Sequence, residues 1–528
     1  MADAGEEKLV AVARHIAKTL AHSDTMATDI LNIFSNFDGR LRQNLSGDAA
    51  QQTLSSLHRK LSPQTPLWSF LHSVDRLTAV IREWTPFSGD EILASCVRRA
   101  ETLLRQSMSR LSDEFETLVR HAGAFPDDAI SDNLREIANR MAAAGHVQDC
   151  SHVYVTCRRE QLTRSLCNLG LDRHVTTTTT TYEWLEDDIE IWIKCITTAV
   201  RVLFPTEQRL SAKIFSSTAA AADLSFFEIC TAPTMQLLNF TDALAAGSRS
   251  PERLFKLLEA YETVRDLTPE FELLFLDHFH DEIESATEKL RELIKSIFME
   301  LEELIRRDTA SATVPGGGLH PLTRYVTNYL SAACGSRQIL EDIFDGNIVG
   351  ERMARTMELL ESNLEAKSKV YRNPALCAVF MMNNMRYIVE KVAKGGEMGA
   401  VLGADWIRRR MAKIRQYHTS YLRCSWAKVV GVLLSRGAGE LSSSKKLKVF
   451  NSCFEETCRI QSSWVIFDEQ LREELRVSVV GMVSPAYRSF IGRLTAKEGR
   501  RYIKLSVEDV EGRIAAQLFQ GSTGRARR

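Results

Sequence analysis

The apolar residues between positions 268 and 308 set the tightest limit on what this chain can fold into. Phe279, Ile283, Ala286, Leu290, Leu293, Ile297, Leu301 and Leu304 recur at intervals of three and four. That spacing lays them along one stripe of an α-helix. Thr268 followed by Pro269 reads as a cap and a first-turn proline, so the spacing predicts one helix over 268–308. At 1.5 Å per residue, about 40 residues span about 60 Å. Such a helix is too long for a compact ball and predicts an all-α rod built from helical bundles.

The same periodicity runs through nearly all of the chain, with only 27 glycines and 12 prolines in 528 residues to interrupt it. The breaks fall at stretches such as "HAGAFPDD" (121–128), "VPGGGLHP" (314–321), "KGGEMGAVLGAD" (394–405) and "SRGAGELSSSKK" (435–446). Val175–Thr181 is the main ambiguous, strand-like run. Its six threonines, flanked by helical patterns, read as a polar loop. No fixed-period repeat is visible.

Lys plus Arg number 67 and Asp plus Glu number 68. The chain has no global field to attract nucleic acid or membrane, so any anion binding must come from a local patch. The eleven cysteines include no CxxC pair, and Cys453 and Cys458 lie five apart. Reduced thiols in a cytosolic protein are expected. The acidic opening "MADAGEEKLV" lacks the features of a secretory leader, and no apolar run reaches about 18 residues, so neither a leader nor a membrane span is expected.

No stretch carries catalytic chemistry. "LDHFHDEIE" gathers Asp277, His278, His280, Asp281 and Glu282. On a helix, positions 278 and 280 point about 200° apart, so the two imidazoles cannot share an ion, and a solvated face is expected. The glycines of "KGGEMGAVLGAD" lack the preceding strand and the Lys-Ser/Thr ending of a phosphate loop, and read as a helix-to-helix turn. "DEFETL" (113–118) has the form of a strand-adding autophagy motif, but it lies in the helical pattern Met108, Leu111, Phe115, Leu118 and reads as buried helix face. No enzyme activity, cofactor, metal site or nucleic-acid partner is expected.

Three basic clusters remain: Arg408, Arg409, Arg410, Lys413 and Arg415; Lys445, Lys446 and Lys448; and Arg493, Lys497, Arg500, Arg501 and Lys504, with Glu498 the only acid among the last. On a helix, Lys497, Arg500, Arg501 and Lys504 fall at i, i+3, i+4 and i+7, which is one face. Val507, Val510, Ile514 and Leu518 follow as an apolar stripe expected to pack on the preceding bundle.

Ten stretches in order give the chain a family likeness. They include "QDCSHVYVTCRREQL" (148–162), "LFPTEQRL" (203–210), "HPLTRYVTNYL" (320–330), "MMNNMRYIVEKV" (381–392), "LGADWIRRR" (402–410), "FEETCRIQSSWVIFDEQLREELR" (454–476) and "RRYIKLSVEDVEGRIAAQLF" (500–519). Together they resemble the plant branch of the seventy-kilodalton exocyst subunit family across nearly the whole length. The resemblance implies stacked antiparallel helical bundles, with an N-terminal helical bundle region at 1–147 and family core bundles at 148–528. It implies a non-catalytic subunit that helps tether secretory vesicles to the plasma membrane in exocytosis, cytoplasmic and peripherally associated with membrane. Other exocyst subunits are the implied partners, with small GTPases open as well. A diverged plant copy acting as a scaffold for immune or autophagy proteins is the alternative. In the family the C-terminal end binds phosphatidylinositol 4,5-bisphosphate through basic positions flanking a Lys-Tyr-Ile-Lys tyrosine. Arg501 and Lys504 around Tyr502 and Ile503 match it here, supported by Lys497 and Arg500. Phe467 stands where a proline is common and Leu505 where a second tyrosine is common.

A cytosolic leaflet attracts each basic residue by about 1 kcal/mol, so five bases less one acid give roughly 4 kcal/mol, or about millimolar affinity. The field fades within about 8 Å at physiological salt. Such a tip would bind end-on and weakly, where anionic lipid is dense, with firm tethering left to further subunits.

Overall fold

The computed structural model describes residues 47–62, 64–87, 91–171, 186–247, 249–309, 313–346, 348–435, 442–494 and 503–521. Among these residues every regular element is a helix, as the periodicity requires. Val175–Thr181 lies outside the described residues. The chain divides into two compact units. One takes residues up to Leu244 together with Thr263–Ala286, and the other takes Ala245–Glu262 and the residues from Thr287 onward.

In the first unit, α1 (Gly47–Lys60), α2 (Leu67–Trp84) and α3 (Glu91–His121) close around Ala50, Leu54, Leu57, Leu77, Trp84 and Ala100. Phe115 is fully buried within α3, so "DEFETL" is helix with its aromatic in the core, Leu118 half-buried, and Asp113, Glu114 and Thr117 exposed. Asp127 starts α4 (Asp128–Ala143) by accepting the Ile130 amide at 2.8 Å. In α5 (Val147–Asn168), Arg158 is 1% exposed and reaches Glu207, 4% exposed, through its Nε at 3.0 Å from Oε2. Its Nη2 also donates to the Ala124 carbonyl at 3.1 Å. The first two stretches quoted for the family likeness thus meet as a buried, multiply bonded ion pair. Burial pushes the Glu207 carboxyl up, against the pull of the Arg158 guanidinium.

Glu207 is delivered by a register change. α6 (Glu186–Thr198) passes through a π turn, Ala199–Leu203, into α7 (Phe204–Ile214). Pro205 has no amide to give the ladder, and the Phe204 amide instead reaches five residues back to Ala199. α8 (Ala219–Ala246) follows.

The single helix expected over 268–308 is two helices. α9 (Leu254–Phe275) carries Pro269 in its interior, and α10 (His280–Arg307) begins after a short 3₁₀ turn at Leu276–Phe279. Pro269 removes only the bond that its amide would have made to Arg265, while Thr268 Oγ1 donates to the Val264 carbonyl at 2.9 Å. The break comes at Leu276, whose φ of 54° cannot continue a right-handed helix. The apolar stripe itself is as expected: Phe279, Ile283, Ala286, Leu290, Leu293, Ile297 and Leu301 are all buried. At its end Ile305 takes the interior place and Leu304 is half-buried.

The second unit is organised around α14 (Pro374–Lys394) and α16 (Ala404–Leu434), which pack along each other. Between them Gly395, Gly396 and Gly403 bracket the short α15 (Glu397–Leu402). Gly403 has φ 82°, a helix-to-helix turn that a side chain would strain. α11 (Pro321–Gly335), α12 (Arg337–Ile343) and α13 (Val349–Ser368) precede them. α17 (Ser443–Ser462), α18 (Glu469–Gly492) and α19 (Val507–Gln517) complete the C-terminal bundle. Among the described residues no helix is long and apolar enough to cross a membrane.

A polar knot fastens this unit. Asn383 and Asn384 are both fully buried in α14. Asn383 Nδ2 donates to the carbonyls of Gly317 and Val465, each at 2.7 Å. Asn384 Oδ1 accepts the His320 amide at 2.9 Å and Thr323 Oγ1 at 2.7 Å. Two loops that would otherwise bury unpaired backbone groups are satisfied by adjacent side chains of one helix.

Candidate functional site

Of the five basic residues expected at the C-terminal tip, Lys497, Arg500 and Arg501 lie outside the described residues. Lys504 is exposed, and so is Arg493, whose Nε donates to the Ser489 carbonyl at 3.0 Å. The stretches on either side of the basic segment are anchored. On one side α18 ends at Gly492. On the other, Leu505 is 5% exposed and its carbonyl accepts the Tyr487 hydroxyl of α18 at 2.9 Å. Tyr487 is itself fully buried and stacks on Phe450 of α17 at 5.0 Å. Leu505 therefore serves the interior, while its neighbour Lys504 faces solvent.

Immediately after it, Ser506 and Asp509 form a capping box. The Asp509 amide donates to Ser506 Oγ at 2.9 Å, and the Ser506 amide donates to Asp509 Oδ2 at 2.8 Å. The Ser506 backbone and hydroxyl hold the Asp509 carboxyl below the usual carboxylate range. Val507, Val510, Ile514 and Leu518 are buried against α17 and α18, so α19 packs on protein along its apolar stripe. The chain then returns across the α17–α18 loop. Phe519, Gln520 and Gly521 donate their amides to the carbonyls of Gln461, Ser462 and Trp464 at 3.2, 3.1 and 3.2 Å. Arg476 Nη2 closes the same turn on the Leu518 carbonyl at 2.8 Å.

The other two basic clusters are divided: Arg409, Arg415, Lys445 and Lys448 are exposed, while one or two members of each are drawn into the fold. Arg410 is 5% exposed, lies over the Trp406 ring at 4.2 Å and donates through Nε to Glu361 at 2.6 Å. Lys413 reaches the other oxygen of the same carboxylate at 2.9 Å. Arg408 pairs with Asp405 on the surface. Lys446 is buried and donates to the Ser435 carbonyl at 2.8 Å.

No group of His, Cys, Asp and Glu among the described residues could hold a metal ion. His278 sits in the 3₁₀ turn with Nδ1 2.8 Å from the Phe275 carbonyl, and His280 starts α10 with Nδ1 4.0 Å from Glu272. The eleven cysteines form no disulfide among the described residues. Burial pushes Cys458 up to about 12, which removes it from nucleophilic chemistry near neutral pH. The buried polar residues that hold the tip's foundations, Asn383, Asn384, Tyr421 and Gln461, were not singled out by sequence. Tyr421 donates to Gln461 at 2.7 Å and accepts the Trp426 indole N–H at 3.0 Å. Their one visible signal was an Asn pair set in the apolar run "MMNNM".

The chain is similar to exocyst subunits along most of its length. The family model for the C-terminal region of the Exo70 exocyst complex subunit matches residues 190–516, and the model for the N-terminal region of exocyst complex component Exo70 matches residues 25–121. The chain is 44% identical to exocyst complex component EXO70B1 of Arabidopsis thaliana, over 99% of both proteins. It is 42% identical to EXO70B2 of the same organism, over 99% of this chain and all of that one. Among solved structures, the exocyst component Exo70p of S. cerevisiae superposes with a TM-score of 0.62 at 14% identity, covering 89% of this chain and 98% of that one. That likeness is one of fold.

Proposed function

The chain belongs to the Exo70 family of exocyst subunits, and from that premise we propose that it serves as an exocyst subunit in vesicle tethering, meeting the plasma membrane through its basic C-terminal tip. The observation that carries the reading is the family match over both Exo70 regions. The tip adds physical support. An exposed Lys504 stands on a buried Leu505 and at the head of a capped, inward-packed helix, so charge is presented from a firm base. The work asked of the protein is positional: it holds a cationic surface and binds other subunits, and no bond need be made or broken. Phosphatidylinositol 4,5-bisphosphate is the lipid whose charge density suits a small patch of this kind. Arg at 501 adds a planar fork matched to phosphate oxygens.

Liposome co-sedimentation tests the lipid step. Wild-type protein is expected to bind vesicles containing phosphatidylinositol 4,5-bisphosphate, and binding is expected to fall as salt rises. Arg501→Glu with Lys504→Glu replaces two attractions by two repulsions, so the loss reaches about 4 kcal/mol, or roughly a thousandfold. Equal binding to neutral and anionic vesicles, or unchanged binding by the double variant, would leave the tip a solvated face.

A further inference from the structure

The break between α9 and α10, which the proposed function does not use, has three unusual properties in one place. Leu273 and Leu276 are 81% and 71% exposed, the two most exposed large apolar side chains among the described residues. Leu276 also has a left-handed backbone with φ 54°. A leucine has no side-chain hydrogen bond to offset that conformation, and glycine would adopt it freely. Backbone outliers of this kind gather where a surface is used.

The exposure is not slack packing. Phe275, between the two leucines in sequence, is 3% exposed and lies against Phe226 and Phe204 at 5.2 and 5.5 Å. Phe279 is 4% exposed, 5.0 Å from Phe275. The half-buried Phe227 ring closes on His278 and Phe279 at 4.8 and 5.7 Å. A close-packed aromatic floor therefore carries two leucines that the interior does not need.

The segment that carries them is acidic, with His280 4.0 Å from Glu272 as its one imidazole contact to a carboxylate among the described residues. Glu272, Asp277 and Asp281 are exposed, and the sequence holds no lysine or arginine between Arg265 and Lys289. Arg201 offsets Glu270 alone, at 3.2 Å. We propose that this surface docks a basic amphipathic helix of another protein, its apolar ridge on Leu273 and Leu276 and its lysines or arginines over Glu272, Asp277 and Asp281. Like charge disfavours the two other obvious occupants, an anionic membrane leaflet and the same surface of a second copy. The site lies in the unit that does not contain the tip, so it stands or falls independently of lipid binding.

The test uses the full chain and two labelled synthetic peptides, one with leucine at every third or fourth position and lysine elsewhere, the other with glutamate replacing lysine. Fluorescence anisotropy is expected to show binding of the lysine peptide alone, with amide-exchange protection at residues 270–282. Leu273→Ser with Leu276→Ser is expected to weaken binding by about tenfold or more, and Glu272→Lys with Asp277→Lys likewise. Leu276→Gly separates docking from folding: it is expected to raise the melting temperature by relieving φ and still to weaken the peptide. Equal binding of both peptides, protection elsewhere in the chain, or undiminished binding by the double serine variant would overturn the proposal. So would a Leu276→Gly protein that melts lower and binds the peptide as wild type does, because Leu276 would then serve the fold.

Discussion

Trp464 sits where three separate segments of the second unit meet, and it is 3% exposed. The Val465 amide beside it donates to the Gly316 carbonyl at 2.9 Å, its own carbonyl accepts the Gly521 amide at 3.2 Å, and its ring meets Tyr421 at 6.4 Å. Replacing it by alanine opens a cavity among neighbours held by backbone bonds and unable to close in. Trp464→Ala is expected to cost about 3–5 kcal/mol in denaturant unfolding, and a wild-type midpoint would show the indole to be dispensable packing. The sequence offers this tryptophan as an anchor, since it closes the helical segment 450–463 and precedes Phe467 and Leu471. It could not make Arg410 or Lys446 legible, since their spacing is that of surface charges and only the positions of Glu361 and the Ser435 carbonyl turn them inward. His320 was equally silent. Its Nδ1 accepts the Leu322 amide at 3.2 Å and so caps α11 only as the neutral ring. Burial first, and then the Lys367 ammonium, lower its pKa, with Asp308 opposing them. A depressed folded-state pKa gives stability that is present above the unfolded value of about 6.5 and lost as pH falls through the folded one. The melting temperature is therefore expected to hold near neutrality and to fall below about pH 6.5. His320→Asn, which keeps a capping acceptor without the titration, should flatten part of that fall, and His418, lowered by its own burial, accounts for a remainder. An unchanged acid slope in the variant would contradict the assignment.

At the scale of elements, the apolar stripe of α10 could be read residue by residue, because a 28-residue amphipathic helix leaves a signal that few other structures share. Its start could not. Pro269 looked like a first-turn proline and is an interior one, and nothing in "FLD" announces that Leu276 will turn left-handed. The break is set by tertiary packing of Phe275 and Phe279 on opposite sides of it, which a local pattern does not encode. The head of α19 is the reverse case. "SVED" spells a capping box in four letters, and the structure forms both of its bonds. Ser506→Ala removes one of them and is expected to cost about 1 kcal/mol of helix stability, read as faster amide exchange across residues 507–510 with little change elsewhere. Exchange that rises equally through α17 and α18 would mean that α19 does not open on its own.

For the molecule as a whole, the all-α class and the family were legible because long amphipathic helices and ten collinear stretches are each hard to produce by accident. Two of those stretches turn out to be joined by the Arg158–Glu207 pair, and "MMNN" supplies the Asn383–Asn384 knot. These stretches thus hold buried polar residues whose partners lie far away in sequence. The tip was legible from local charge, helical spacing and the family resemblance, and three of its four residues, Lys497, Arg500 and Arg501, lie outside the described residues. A local excess of positive charge on a nearly neutral chain says where anions would gather, and a patch of that size supplies only weak attraction, so a membrane contact of the proposed kind would need other subunits for firm tethering. The central claim is accordingly one of assembly, and affinity purification of the full chain from plant tissue tests it most directly. The other exocyst subunits are expected to co-purify in comparable amounts and to persist in salt that strips the protein from anionic vesicles. Recovery of the chain without them, or with immune or autophagy proteins in their place, would contradict it.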